Sequence, residues 1–244
     1  MFIMQTIIKS VLSCVFVLLS IHLQAQGTIV GNGTDIPKQS AFRISIGGGY
    51  AKGIGEVLKY GDVVLDKMSE DLTTGFGLEA EMQYYFNWKK KDAFSYGIGL
   101  DFNYVHTKAT AFFTFLPTTG VPNVSYLETQ SYTYAGPAFA MRYDWDDWLC
   151  TFTLGCGAVF FTDYAEIDSG GKNIKGRSTT PAFGSNIGIS ADYKISPNWG
   201  FGLKLSATGG SVDEIDWNGV KVNFEKDISL SSWMISGIVS FRTK

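Results

Sequence analysis

Cysteine, proline, histidine and charge are all scarce in this sequence. Its 244 residues include only three cysteines, six prolines and two histidines, and charged side chains make up 18%. The cysteines provide no disulfide framework. Cys14 falls in a segment read below as removed, and Cys150 and Cys156 would stand roughly 20 Å apart if they share a strand. Haem, zinc and iron–sulfur sites need several histidines or paired cysteines, whereas the chain beyond residue 26 keeps one histidine, His106. No cofactor is expected. Twenty Lys and Arg against 23 Asp and Glu give a net charge of −3, so the basic footprint of a nucleic-acid partner is also missing.

One apolar run does occur, from Ser10 to Ile21 behind Lys9, and Leu23-Gln24-Ala25 follows it with a small residue where a signal peptidase cuts. The run is about a dozen residues, and a spanning helix needs about 20. Residues 1–26 therefore read as a cleaved secretory signal peptide, residues 27–40 as a polar periplasmic leader and residues 41–244 as one domain.

Glycine (28 residues) and aromatic residues (15%) are plentiful, and they fall into a pattern. Eight segments alternate strictly between an apolar row and a small or polar row, beginning near Phe42, Gly75, Phe94, Tyr134, Cys150, Phe183, Trp199 and Ser232. The connections alternate too. Those after the second, fourth and sixth segments are short, and the others run to roughly 15–25 residues, as in an antiparallel meander with its turns on one side and its loops on the other.

No charged residue occurs on any apolar row. The opposite row carries Arg43, Glu79, Glu81, Asp101, Arg142, Asp192, Lys194 and Lys204 among glycines, serines and threonines. A soluble barrel would place its charges outside, so the apolar row is read as facing lipid and the charges as facing a lumen. Backbone in hydrocarbon must be fully paired, so the sheet must close. Eight strands close into a barrel that side chains can fill. Beside the short turns lie Phe42, Phe86, Trp88, Phe94, Tyr143, Trp145, Trp148, Tyr193, Trp199 and Phe241, the composition of a periplasmic-side aromatic girdle.

These features resemble the small outer-membrane β-barrels of the OmpA and OmpX kind, and the Gln-Ala-Gln signal end resembles Bacteroidota members. The likeness covers nearly the whole mature chain through pattern rather than motif. It implies an all-β, eight-stranded, antiparallel up-and-down transmembrane β-barrel in the outer membrane of a Gram-negative bacterium. The terminal aromatic is displaced here, because Arg242-Thr243-Lys244 follows Phe241.

Glu79 and Glu81, about 7 Å apart on one face, have a spacing that a glycosidase could use. Charge balance is the favoured reading, in which the acids of the inner row neutralise Arg43, Arg142, Lys204 and Lys194, because a buried charge must be paired. His106 lies at the outer end of the third segment. Lipid A deacylases that resemble this fold carry a catalytic histidine there, but the serine they place two residues on is Lys108 in this chain. No enzyme activity is expected.

Specificity should lie in the loops. Glu56–Asp71 and Val212–Asp227 each hold five acids and two lysines and read as acidic, solvated rims. Asp216–Val222 contains an Asn-Gly hairpin signal, and Thr107–Phe115 and Val124–Thr133 read as β-prone arms. Phe112, Phe113, Phe115, Leu116 and Tyr126 form a candidate partner loop or pack over the barrel mouth. The sequence thus points to a non-enzymatic barrel serving adhesion, envelope stability or docking. Its partners would be outer-membrane lipid, lipopolysaccharide or another outer-membrane protein met through the loops. A narrow porin-like channel is the alternative, with a lipid-modifying enzyme behind it.

Overall fold

A computed structural model describes residues 41–53, 63–86, 93–113, 123–217 and 220–243. The signal, the leader, Trp88, Phe115, Leu116 and the Asn218-Gly219 turn lie outside the described residues. Among the described residues, nine strands and one helix follow in chain order: β1 (Phe42–Gly53), α1 (Val63–Asp71), β2 (Thr74–Phe86), β3 (Phe94–Phe113), β4 (Val124–Trp145), β5 (Trp148–Ser169), β6 (Lys172–Lys194), β7 (Trp199–Trp217), β8 (Val220–Ser229) and β9 (Ser232–Arg242).

Eight of the strands form a closed antiparallel ring. β1 to β7 pair in sequence, β7 pairs with β9, and β9 returns to β1. β8 stands outside the ring as a hairpin arm on the far end of β7. The ladder fixes how steeply the strands lean. Followed from Phe42 through Tyr84, Ile98, Phe139, Leu154, Ile187, Ala207 and Trp233, it comes back to β1 at Lys52, ten positions beyond its start. A stagger of that size around eight strands tilts them by about 40°.

Alternation explains the two faces. Inward residues are small wherever neighbouring strands crowd the axis. A Cβ on Gly49 would stand 1.9 Å from the carbonyl oxygen of Ile235, so only glycine fits there. Outward residues are large and apolar. Ile46, Leu78, Ile98, Leu100, Leu154, Phe201 and Leu203 are all more than half exposed on the outer wall. Cys150 and Cys156 share that outward parity on β5 and are free.

The outer connections depart from the sequence reading in two ways. β4, β5 and β6 run to 22, 22 and 23 residues. The span between the fifth and sixth segments is therefore a continuous hairpin rather than a long loop. It closes on Gly170 and Gly171, whose φ angles of 57° and 82° suit the two-residue turn that a twisted hairpin needs. Second, part of the first acidic rim is α1, which is not solvated all round: Met68 is 4% exposed and packs on Ala109 and Ala111 of β3, with Leu72, Phe113 and Tyr126 around it. Within the ring, β4 pairs with β5 on both sides of Gly136 and Pro137 but not across them. Proline has no N–H to give the ladder.

Candidate functional site: the filled lumen and its mouth

The inner wall is organised in layers from the short-turn end upward. Arg242 caps the floor by donating to the carbonyls of Trp199 and Ser196 at 2.9 and 3.3 Å. Arg142 lies 4.2 Å over the ring of Tyr85 and 3.8 Å from Asp144. Lys194 lies at the rim and pairs with Asp144 at 2.5 Å, apart from the central network.

Arg43 is fully buried and holds the next layer together. Its guanidinium takes Asp192 in a fork, with Nη2 at 2.8 and 3.2 Å and Nε at 3.2 Å from the two carboxylate oxygens. The remaining nitrogen, Nη1, donates to Glu81 at 3.0 Å and to Gln83 at 3.2 Å. Lys204 then bridges Glu81 at 2.6 Å and Glu79 at 2.8 Å. Glu79 also accepts from the hydroxyls of Ser206 and Ser236. β1, β2, β6 and β7 each supply one or two of these charges because inward positions at one height come from different strands in a tilted barrel.

Asp101, the ladder partner of Glu81, makes no direct ion pair among the described residues. It accepts from Asn186 at 3.2 Å, within an amide layer of Asn103, Asn186 and Thr208. Above this the lumen turns apolar. Tyr134, Val159, Phe161, Val212 and Leu230 form one cluster, and Ala51, Val105 and Met234 another. The charged layer is legible in the sequence and the apolar one is not, because Val105, Val159 and Val212 lie beyond the stretches in which alternation is clean.

The outer wall carries two aromatic rings, and only the lower can be read from sequence. Around the short turns, Phe94 packs on Tyr96 with centroids 4.8 Å apart, Trp148 on Tyr193 at 5.4 Å and Trp199 on Phe241 at 5.1 Å. Phe42, Tyr143 and Trp145 complete that level, and Phe86 packs on Tyr84. About ten positions up six of the strands, about 25 Å higher, lie Tyr50, Phe76, Tyr104, Phe160, Phe183 and Trp233. Tyr50 meets Trp233 at 5.9 Å and Phe76 meets Tyr104 at 6.4 Å. The stagger of the strands scatters this upper ring along the chain, which hides it.

His106 lies in the upper ring, 5.5 Å from the Phe76 ring centroid. Its Nδ1 is 3.2 Å from Ser131 Oγ on the neighbouring strand, a pairing that spacing along the chain does not reveal. Among the described residues no carboxylate reaches this imidazole, so a base–nucleophile pair lacks its orienting acid. Of the partner-loop residues, Phe113 and Tyr126 pack inward around Met68, while Phe112 points out and is 70% exposed.

Closed ring, filled interior and apolar belt together define an eight-stranded transmembrane β-barrel whose interior is occupied by side chains. No protein-family model and no curated protein matches the chain. Among solved structures it is similar to a major outer membrane protein from Thermus thermophilus, at 12% identity and a TM-score of 0.46, covering 83% of this chain and 98% of that one. It is also similar to Ail, the attachment invasion locus protein of Yersinia pestis, at 16% and 0.39, covering 83% and 99%. Neisserial surface protein A matches at 12% and 0.38, covering 84% and 98%. The likeness is one of architecture.

Proposed function

We propose that this protein is a non-enzymatic integral outer-membrane barrel whose lumen is sealed and whose outer end serves attachment or docking. The observation that carries the reading is the contrast between its two ends. Paired charges and apolar clusters fill the axis, whereas β3 to β6 continue past the upper aromatic ring as a four-stranded sheet reaching Ser169 and Lys172. A sealed barrel transports nothing by itself, so the projecting sheet is the part that can meet a partner. In planar bilayers the protein should pass almost no current; steady open-channel conductance would favour the narrow pore instead.

Outer-leaflet glycolipid is the first expected partner. Lys52 and Lys108 are exposed on the outer wall just above the upper ring, one on each side of Thr74, and neither has a carboxylate partner among the described residues. Lysine at that height suits a lipid phosphate. The pairing of His106 with Ser131 keeps lipid-modifying chemistry open to test. Cells carrying His106→Ala should show an unchanged lipid A profile, and a changed one would revive the enzyme reading.

A further inference from the structure

Above the apolar layer, the inner face of the projecting sheet carries a polar cluster that the sealing of the lumen does not use. Gln130, Asp163 and Ser178 are ladder partners on β4, β5 and β6. Glu128 and Thr180 flank them with the same inward parity. Glu128 is held in place by the Tyr126 hydroxyl at 3.0 Å and the Gln130 amide at 2.9 Å. Asp163 leaves Oδ1 without a hydrogen-bond partner. Ser178 is 2% exposed, yet its hydroxyl has no partner, and neither has that of Thr180.

Neither carboxylate has a cationic partner among the residues whose side chains are described. Lys175 and Arg177 stand on the opposite, outward face of β6, where Lys175 pairs with Glu166 at 3.3 Å, and Lys108 is on the outward face of β3. Below the cluster, the rings of Tyr132 and Phe161 lie 5.2 Å apart and make an aromatic floor. Two half-buried anions, unfilled hydroxyls and an aromatic floor are complementary to a positive head on an apolar stem.

We propose that the barrel mouth binds a primary alkylammonium group, its charge set against Asp163 and Glu128 and its stem on Tyr132 and Phe161. An ammonium offers three donors and needs no donor in return, which matches Asp163 Oδ1 and the lone pairs of Ser178 and Thr180. Aromatic faces attract such a cation and shelter its stem. A calcium ion is a poorer match. It asks for six to eight oxygens, and Glu128 is already engaged by Tyr126 and Gln130.

Burial, with Glu128 nearby, pushes the Asp163 carboxyl up to about 7. On the inward face of β4 the titratable groups near the site are Glu128, Tyr126 and Tyr132, with Tyr134 and Arg142 further down; β6 offers the hydroxyls of Ser178 and Thr180, and α1, packed against Tyr126, carries Asp66, Lys67, Glu70 and Asp71. The site therefore carries its full charge above about pH 7 and loses part of it below.

The test is calorimetric titration of the detergent-folded full chain with 1,5-diaminopentane and, separately, with Nα-acetyl-lysine amide. The first probe stands for free amines and the second for a lysine on a partner protein, and Nε-acetylated lysine amide is the control. Binding at pH 8 should weaken by at least about tenfold in Asp163→Asn and in Glu128→Gln, and in wild type at pH 5, with the acetylated control silent. Heat-shifted gel migration checks that each variant still forms the barrel, independently of binding. Should Asp163→Asn fail to fold, Glu128→Gln and the pH series carry the test. Affinity undiminished in folded variants, calcium binding in place of amine binding, or no heat at millimolar amine would overturn the assignment.

Discussion

Arg43 shows at the level of one residue why the lumen charges must be judged by what each removal leaves behind. Arg43→Ala strands Asp192 in a buried layer and takes from Glu81 one of its two cations, leaving it Lys204. The expected loss is about 3–5 kcal/mol, read from the urea midpoint in detergent. Glu79→Ala is milder, because Lys204 keeps Glu81; about 1–3 kcal/mol is expected from the same measurement. Equal losses in the two variants would show that water enters the layer and compensates both. Asp163 gives the opposite sign. Its folded carboxyl titrates at about 7 rather than the ordinary 3.8. The folded state therefore holds more protons than the unfolded one across that window, and stability falls as pH rises through it. Asp163→Asn should flatten the fall, making the variant the more stable form at pH 8 and nearly equal to wild type at pH 3.5.

Among the elements, the eight ring strands are legible because alternation is strict wherever one face meets lipid and the other a narrow axis. Their continuation outward is harder to read. Past Phe160 and up to Phe183 both faces meet water or a half-open mouth, so the pattern blurs although the ladder persists to Ser169 and Lys172. The adjacent glycines at 170 and 171 are the available signal for that hairpin. α1 cannot be read at all, since nine residues do not hold a helix unaided and Met68 finds its packing on β3, more than forty residues away. The same reason explains the partial view of the site: register decides that Lys204 meets Glu79 and Glu81, and that His106 meets Ser131. Met68→Asp should free α1 from the mouth. Its amides should then exchange with solvent much faster in hydrogen-exchange mass spectrometry, while conductance stays near zero, because the ion-paired layer below is untouched. A current appearing in Met68→Asp would make the helix the seal.

For the whole molecule, two aromatic rings about 25 Å apart set how deeply the barrel sits in a bilayer. Lys52 and Lys108 lie just beyond the upper ring, where phosphates of the outer leaflet would be. The double variant Lys52→Glu/Lys108→Glu should co-purify with less phosphorylated glycolipid by native mass spectrometry and keep the heat-shifted gel mobility of the folded form. Unchanged lipid retention would remove these lysines from the interface.

The seam of the ring joins Arg43–Gly53 to Ser232–Arg242, the earliest and latest strands of the barrel. Until the carboxyl-terminal stretch arrives, the amino-terminal one has a raw border with its amide and carbonyl groups bare, which hydrocarbon does not admit. Insertion must therefore wait for the complete polypeptide. A nascent or clipped copy should stay outside the bilayer, as a client for whatever shields it in transit, rather than persist as a smaller hoop.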